Sequence, residues 1–532
     1  MHELLNSFQP PTEAQAHAIR ASLGRQRLEL IKLDAEIQLL LNKRERLEHA
    51  ISSHELLLAP IRRLPDDVLR VIFVGILPER RNTALDEDEG GLLLCRVCRH
   101  WRDVALATPR LWASMHIVLP SGSYDNRGPL DTPPVKQLTQ RMTLWMQRSA
   151  AVPISATVRF SAISGSLPSA SSTPDPTVSP FLATLLSATS RWERIDLALC
   201  HPSDISALLD LTAEHVQRLK SFGMRLYSTA INRQFPAIRS DLRFLSAPSL
   251  ESFSFYGHPL ALPSTINWPN LVSLTVRFAG RGYPPLGAMP LDFPFPLLDH
   301  CTGLECLSIG AEGEHLRRQI PNSTPVVLSR MKTLQLSSTV DLCDLSSFRE
   351  HLQMPNLETL TLSLVDLRSF VEPLGYLKAL SISLAYFTAE HLRDGFRLLP
   401  ALERLKIISD QRGQGSEEHI LAAFVADRPV LCPQLTHVHV IRSARLSDNT
   451  ILDFVRSRIP RLRSFKALLL LQQRPKQLDL PAEFSEAIAD GLVLELVYQP
   501  PRGTVVPSYS PLEGTERHPG WMPDPILDGE VW

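Results

Sequence analysis

The first regular feature of the chain is a row of apolar side chains between residues 13 and 58, which recur at alternating spacings of three and four. Its members are Ile19, Leu23, Leu30, Leu33, Ile37, Leu40, Leu47, Ile51 and Leu58. Proline is absent from this stretch and Gly24 is its single glycine, so the pattern predicts one long helix with a heptad seam. Polar residues interrupt the seam at Gln26, Arg44 and His54. This leaves two alternatives, a short self-associating coiled coil and a helix packed on a neighbouring element.

Two shorter amphipathic stretches follow the helix-breaking Pro60. The first, LPDDVLRVIF from residue 64, combines a proline and acidic residues suited to a helix N terminus with apolar residues at helical spacing. The second, LLLCRVCRHWRDVALATPRLW from residue 92, again carries apolar side chains every three or four residues. Helices this short bury too little surface to be stable alone. They either meet a partner or cap the following domain, and periodicity alone favours the cap.

Together, these stretches resemble an F-box over residues 64–112. The chain has the opening Leu-Pro pair, an apolar first helix, the core Val97-Cys98-Arg99-x-Trp101-Arg102 and the ending Thr108-Pro109-x-Leu111-Trp112, in the family's order. The family docks this unit onto a Skp-type adaptor, so the resemblance implies an adaptor-binding surface. Its members here would be Leu64, Pro65, Leu69, Ile72, Phe73, Val97, Cys98 and Trp101. The acidic loop at 86–91 departs from the family in being longer than its minimal connection.

A short phrase, apolar-x-x-apolar-x-apolar, recurs between residues 192 and 462. Its copies are WERIDL, LESFSF, LVSLTV, LECLSI, MKTLQL, LETLTL, LKALSI, LERLKI, LTHVHV and LRSFKA, with a degenerate VQRLKSF at 216. The intervals average 27 residues, inside the range of about 20 to 29 residues that is typical of leucine-rich repeats. The phrase therefore predicts neighbouring parallel strands of a leucine-rich-repeat-like solenoid, in preference to an ordinary α/β domain whose strands share a pattern.

Strand side chains alternate between two faces, so each phrase predicts which residues are buried. In LETLTL, Leu360 and Leu362 are expected in the core. The intervening positions Thr359, Thr361 and Ser363 are expected on the concave strand face. A solenoid exposes such positions as an extended binding surface, and we predict that a target protein binds there.

Composition excludes some classes of function. The 55 Lys and Arg residues balance 56 Asp and Glu residues, so no bulk positive charge is present to bind nucleic acid or an anionic membrane. The longest aliphatic run, at 467–471, is far shorter than the roughly 20 residues that span a bilayer. The N terminus has no basic and apolar regions of the kind that form a secretory signal. We therefore expect a cytoplasmic or nuclear protein without a membrane partner.

The cysteines suggest candidate metal-binding and catalytic sites, but the surrounding sequence does not support them. Seven scattered cysteines do not resemble a disulfide framework. Cys95 and Cys98 form a C-x2-C pair, but no second pair follows nearby to complete a zinc site. The stretch HCTGLEC at 300–306 places His300 beside Cys301, without an evident third group to orient a dyad. We predict no metal, no cofactor and no catalytic site.

The sequence as a whole predicts an α+β multi-domain protein. The segments are an N-terminal helix (1–59), an F-box-like helical domain (60–118), a Pro, Ser and Thr-rich linker with one helix and one strand (119–188), a leucine-rich-repeat-like domain (189–497) and a proline-rich tail (498–532). The family resemblance implies a non-catalytic substrate-recognition subunit of a cullin-RING ubiquitin ligase. The alternative is a repeat scaffold that self-associates through residues 13–58 and never joins a ligase; a cysteine-histidine hydrolase or redox enzyme is a third.

Overall fold

The structure is a computed structural model, which describes part of the chain. The described residues are 12–58, 60–119, 133–160, 178–199, 202–226, 238, 241–258, 261–278, 295–311, 325–338, 352–363, 374–384, 389–409, 416–427, 429–443, 446–470, 479–499, 510–512 and 514–515. Most of the predicted tail at 498–532 and parts of the predicted linker at 119–188 therefore lie outside them. The chain divides into two compact units, residues 1–75 and 76–532.

The first unit is helical. Helix α1 (Glu13–Leu58) runs for 46 residues, a 3-10 turn occupies Pro60–Arg63, and helix α2 spans Asp66–Gly75. Helix α1 confirms the predicted N-terminal helix. Apart from the half-buried Ile19, the apolar seam residues of α1 are exposed.

The second unit alternates helices with strands. Its helices are α3 (Gly90–Val97), α4 (Arg99–Leu106), α5 (Pro133–Arg148), α6 (Val178–Leu186), α7 (Pro202–Leu209), α8 (Phe295–Leu298), α9 (Ala389–Arg397), α10 (Ser416–Ala426), α11 (Asp448–Arg458), α12 (Leu480–Glu483) and α13 (Ser485–Ala489). Its 3-10 turns are Pro109–Trp112, Thr189–Arg191, Ala213–Val216, Arg243–Ser246 and Trp268–Asn270.

The strands of the second unit were predicted in part by the repeated phrase. They are β1 (Ser114–Leu119), β2 (Ile154–Phe160), β3 (Trp192–Leu199), β4 (Ser221–Leu226), β5 (Ser252–Gly257), β6 (Ser273–Phe278), β7 (Cys306–Ala311), β8 (Val326–Val327), β9 (Thr333–Ser338), β10 (Leu352–Gln353), β11 (Thr359–Ser363), β12 (Ala379–Ser383), β13 (Arg404–Ile408), β14 (His437–Ser443), β15 (Ser464–Leu470) and β16 (Val493–Gln499). Each regular copy of the phrase from 192 to 462 lies on a strand, whereas the degenerate copy at 216 overlaps β4 only at Ser221 and Phe222.

Within the described part of the chain, fourteen of these strands form one sheet, in chain order from β1 to β16 with β8 and β10 left out. Every pair in it is parallel. The short β8 and β10 pair separately. This confirms the prediction that the phrases are parallel neighbours in one sheet. Because parallel neighbours need a crossover, the chain returns between strands through the intervening segments.

The sheet is larger than the repeated phrase predicted. It begins at Ser114, inside the segment assigned to the F-box-like domain, and β2 comes from the predicted linker. Strand β16 runs to Gln499, just past the predicted domain end at 497. The phrase does not predict the first two strands, because SMHIVL and ISATVRF do not carry it. The strand predicted in the linker is β2, but its pairing in this sheet was not predicted.

Apolar side chains cover one face of the sheet in two rows. The first row contains Met115, Ala156, Ile195, Phe222, Phe253, Leu274, Leu307, Leu334, Leu360, Leu380, Leu405, Val438, Phe465 and Leu494, which the strand register places side by side. The second lies two residues further along each strand and includes Phe255, Leu362 and Ile407. Leu360 and Leu362 are fully buried, as the phrase predicted, and burial of these rows stabilises the fold.

Charged residues alternate along the edge where the strands begin. Lys220 Nζ lies 3.0 Å from Glu193 Oε1, and Lys378 Nζ lies 3.0 Å from Glu358 Oε1. The backbones of Lys378 and Glu358 are hydrogen-bonded as well, because the Lys378 amide donates to the Glu358 carbonyl at 3.0 Å. Each exposed ion pair contributes roughly 0 to 1 kcal/mol to stability. This row of ion pairs therefore supports the register of the strands without determining it.

Candidate functional site

Helix α2 carries the first part of the predicted adaptor surface. Leu69 and Phe73 are completely buried, so they cannot contact an adaptor and the prediction is wrong for them. Ile72 is 39% exposed, Pro65 is exposed and Leu64 is half-buried. Helix geometry explains why some of these residues are buried and others are not. Each residue turns the helix by about 100°, and Leu69 and Phe73, which are four positions apart, face inward together.

The outward side of α2 is also apolar. Val68 is 39% and Val71 is 73% exposed, beside the exposed Ile72. Exposed apolar residues that adjoin on one helix face mark an interaction surface more often than isolated ones do. Helix α2 therefore has an uncovered apolar surface, though it is not formed by all the residues that the F-box resemblance implies.

The second part of the predicted surface lies on two helices, whereas the sequence indicated one continuous stretch. Cys98 has extended backbone angles, φ −159° and ψ 171°, and separates α3 from α4. Its thiol accepts a hydrogen bond from the Trp101 amide at 3.4 Å, so Cys98 is an exposed helix cap. Val97 is 55% exposed and Trp101 is half-buried.

Trp112, at the end of the F-box-like motif, is a structural residue. It is completely buried and its indole nitrogen donates to the Ala105 carbonyl at 2.9 Å. Its ring meets Trp145 edge to face, with 5.3 Å between centroids, and the Arg148 guanidinium lies 4.5 Å from its centroid. A Cβ on Gly91 would come within 2.9 Å of the ring. Trp112 thus links α3 and α4 to α5.

The loop at 81–89 joins this segment to the free edge of the sheet. The Thr83 carbonyl accepts from the His116 amide at 2.6 Å, and Ala84 forms an isolated parallel bridge with His116 of β1. The Asn82 amide donates to Thr157 Oγ1 at 2.8 Å, while Glu89 accepts from the Ala84 amide at 2.7 Å. The part of the F-box-like segment in the second unit therefore caps the first sheet edge, as periodicity alone favoured.

The sheet face opposite the apolar rows provides the second candidate site, which we call the polar face. Its central row is His116, Thr157, Asp196, Gly223, Ser254, Thr275, Ser308, Gln335, Thr361, Ser381, Lys406, His439, Lys466 and Glu495, in register from β1 to β16. Alternation along each strand directs these side chains away from the core rows. The polar face is thus continuous across the described strands.

The predicted target-binding residues have different environments on this face. Thr359 is half-buried. Thr361 is only 6% exposed, so the prediction that it belongs to an open contact surface is wrong. Ser363 ends strand β11, and its side chain lies outside the described residues. Burial extends to other strands of the sheet, because Ser308 on β7 and Ser381 on β12, which belong to the same row, are also buried.

The polar face concentrates positive charge in a chain whose formal net charge is −1. Its basic residues, in the central row and the rows two positions to either side, are Arg159, Arg194, Arg225, Arg277, Arg404, Lys406 and Lys466. The acidic residues of the same rows are Asp196 and Glu495. Burial and the charge of Arg404 lower the pKa of His437, so that imidazole adds no charge at neutral pH. We did not predict these basic residues; the available signal was the arginine that directly follows an apolar strand residue in ATVRF, FGMRL and SLTVRF.

Asp196 lies between two of these arginines. The Arg159 guanidinium donates to both carboxylate oxygens, at 2.9 and 2.8 Å, and Arg225 Nε lies 3.6 Å from Oδ1. Burial would raise the pKa of Asp196, but the charges of Arg159 and Arg225 and the hydrogen bonds of Arg159 outweigh it and hold the pKa below its usual range. The cluster therefore fixes the arginines and keeps an overall positive charge.

We expect Asp196→Asn to lower the free energy of unfolding by about 1.5 to 3 kcal/mol at neutral pH, because charge-assisted hydrogen bonds are lost. A carboxyl with a depressed native pKa stabilises the fold above its unfolded pKa of about 3.9 and loses that contribution as pH falls toward the native value. The difference between variant and wild type should therefore shrink below about pH 4. Urea unfolding at a series of pH values measures it. A difference that stays constant down to pH 3 would contradict this account.

The candidate cysteine chemistry, which the sequence disfavoured, gains no support. Burial raises the pKa of the Cys301 thiol to about 12 and raises that of Cys306, which disfavours the thiolate that a nucleophile needs. No group of three or more histidine, cysteine or acidic side chains suited to a metal ion occurs among the residues that the structure describes. The described helices include none that is long and apolar enough to cross a lipid bilayer.

Comparison with known proteins assigns no family. No protein-family model matches the chain, and no curated protein matches it in sequence.

Proposed function

We propose that this protein is the substrate-recognition subunit of a cullin-RING (SCF-type) ubiquitin ligase. Residues 64–112 would be an F-box that docks onto a Skp-type adaptor, and the sheet unit a leucine-rich-repeat-like solenoid that holds the target. The observation that carries the proposal is the ordered set of F-box-like motif elements, on helices that expose Val71, Ile72 and Val97 to solvent. Such a ligase acts in the cytosol or nucleus.

The sheet supports the receptor half of the proposal. Its strands pair in chain order and in parallel throughout the described residues, and the phrase recurs at an average of 27 residues. One strand and one return segment per repeat is the plan of leucine-rich repeats. An extended strand face of this kind suits a protein partner better than a small molecule in a deep apolar pocket.

The mechanism in this proposal is tethering. The chain itself would supply no catalytic group. It would hold a target close to the ubiquitin-loaded enzyme that the adaptor and cullin bring, which raises the effective concentration of the target's lysines.

The charge of the polar face refines the kind of target. Arg194 and Lys466 are exposed on it, and Asp196 neutralises only part of the charge of Arg159 and Arg225. Complementary charge across an interface speeds association and selects partners. The proposed target therefore presents an acidic segment to the polar face.

Adaptor capture tests the ligase proposal. We expect the purified full-length chain to bind a Skp-type adaptor, and Ile72→Lys or Val97→Lys to weaken that binding by about tenfold or more, as for central interface residues. Val430→Lys is the matched control, because Val430 is 46% exposed and belongs to neither candidate helix. Wild-type protein that binds no adaptor would refute the ligase and leave the non-ligase repeat scaffold. The capping contacts of the loop at 81–89 favour that second candidate.

Charge reversal tests the target surface. Arg194→Glu combined with Lys466→Glu should weaken capture of a co-purified target while leaving adaptor binding intact. Arg456→Glu is the control, since Arg456, like Lys466, pairs with an exposed glutamate, Glu483 at 3.0 Å, but lies on α11. The substitution Thr361→Glu is uninformative, because it would bury a carboxylate. Capture that survives the double reversal would place recognition outside the polar face.

A further inference from the structure

Helix α1 exposes most of an interrupted heptad seam to solvent. The a positions are Leu23, Leu30, Ile37, Arg44, Ile51 and Leu58, and the d positions are Ile19, Gln26, Leu33, Leu40, Leu47 and His54. Apart from Ile19, the apolar members are exposed. A helix gains most of its stability in water by packing such a stripe, and a contiguous exposed apolar surface this long is unusual unless something covers it.

The charges that flank the seam are distributed unevenly along α1. At the e positions, the N-terminal half carries Arg20 and Arg27 and the C-terminal half carries Glu48 and Glu55. At the g positions the order is reversed, with Glu29 before Lys43. All these residues are exposed. One copy of the helix is therefore complementary in charge to a second copy that runs in the opposite direction.

A parallel pair would bring unfavourable residues together. In that arrangement each a residue meets its own copy, so two Arg44 guanidinium groups would oppose each other in the core. Each g residue would also lie near an e residue of the following heptad, which sets Glu29 beside Asp34 of the second copy. Both contacts are repulsive, and the favourable charged flanking contact of a parallel pair is that of Lys43 with Glu48 of the second copy.

In one register, an antiparallel pair places the polar seam residues Arg44 and Gln26 opposite each other. There a residues face d residues of the second copy. With residue 35 at the symmetry axis, Arg44 lies opposite Gln26, whose side-chain carbonyl can accept a hydrogen bond from the guanidinium. Four further layers pair apolar residues, Ile19 with Ile51, Leu23 with Leu47, Leu30 with Leu40 and Leu33 with Ile37, and near each end of the overlap His54 lies opposite Ala16. A shift of one heptad in either direction would place Arg44 against Leu33 or Ile19 and leave its charge without a polar partner in the seam.

We propose that a second copy of this chain covers the seam of α1, as an antiparallel two-helix coiled coil whose two-fold axis passes residue 35. The e positions of the copies flank each other, so Arg20 and Arg27 lie beside Glu48 and Glu55 on both sides of the axis. Asp34 and Glu36 meet their own copies near the axis, so the charge complementarity resides in the outer heptads. The pairing is independent of any ligase role, and it follows the isologous symmetry usual for homodimers.

A charge-swap experiment on the full-length chain tests the pairing. The first variant, Arg20→Glu/Arg27→Glu, and the second, Glu48→Arg/Glu55→Arg, each place like charges opposite one another in their own dimers. Each should dimerise about 10-fold or more weakly than wild type in sedimentation equilibrium, since several surface pairs become repulsive at once. An equimolar mixture of the two should restore dimerisation to the wild-type level, because the substituted e positions of the outer heptads again face opposite charges in the heterodimer.

The control is Arg25→Glu/Lys32→Glu, which reverses two basic residues at exposed c positions away from the seam. It should dimerise like wild type. A wild-type chain that stays monomeric at the highest attainable concentration overturns the proposal. So does a mixture that fails to recover dimerisation, because parallel helices do not set these e positions opposite each other. A control that weakens dimerisation as much as the test variants also overturns it, since general charge would then be the cause.

Discussion

Replacing Trp112 with alanine is expected to lower the free energy of unfolding by about 3 to 5 kcal/mol, the usual loss for a fully buried large aromatic residue. The side chain is completely buried, and the variant removes its hydrogen bond to Ala105 and its edge-to-face contact with Trp145. The cavity would also leave the Ala105 carbonyl without that donor. Urea unfolding followed by circular dichroism measures the change.

Trp101→Ala is the matched control for Trp112. Trp101 is half-buried and belongs to the same F-box-like motif, but its substitution removes less buried area, so roughly half of the Trp112 loss or less is expected. If Trp101→Ala proved as destabilising as Trp112→Ala, the burial that separates the two tryptophans would be wrong.

Arg458→Ala is expected to lower the free energy of unfolding by about 2 to 5 kcal/mol, because it leaves buried carbonyl groups without their donor. Arg458 is 7% exposed. Its guanidinium donates to the carbonyls of Cys432 at 3.2 Å, Phe424 at 3.2 Å and Leu431 at 2.8 Å. Burial lowers the pKa of Arg458, while the rings of Phe424 and Phe454 lie 5.3 and 5.9 Å from the guanidinium carbon. Urea unfolding of the full-length chain measures the loss.

Two further variants separate the causes of that loss. Arg456→Ala on the same helix removes an exposed ion pair with Glu483 and should change stability by no more than about 0.5 kcal/mol. Arg458→Met keeps much of the side-chain volume without the donors, so it should remain nearly as destabilising as Arg458→Ala. Recovery of wild-type stability in Arg458→Met would show that packing, and not hydrogen bonding, accounts for the residue's contribution.

The strands that carry the phrase could be predicted from the sequence, because the features that determine them are local. A residue such as Leu360 occupies the same position in its phrase as Leu380 does in the next, and parallel pairing puts them side by side. Helix α1 was readable for the same reason, since its spacing of three and four is a property of one segment. In both cases neighbours along the chain carry the information.

The exposure of the candidate site residues was harder to predict from the sequence, because burial depends on what packs against each residue. Leu69 and Ile72 are both apolar and three residues apart, yet one is buried and the other exposed. Cys98 occupies an apolar position by spacing, yet it ends one helix and caps the next. Thr361 alternates with core residues as predicted, yet it is buried on the polar face. Each outcome depends on neighbours that are distant along the chain.

The sequence by itself determined the N-terminal helix, the strands that carry the phrase and the pairing order of those strands, because hydrophobic periodicity and a repeat near 27 residues act within and between adjacent segments. Only the tertiary structure decided where the sheet begins, since β1 and β2 carry no phrase and join it through pairing with β3. It likewise decided the charge of the polar face: Arg159 and Arg225 are 66 positions apart in the chain and meet at Asp196 because parallel strands align them. The sequence has no periodic signal for that meeting, because it arises from register across strands.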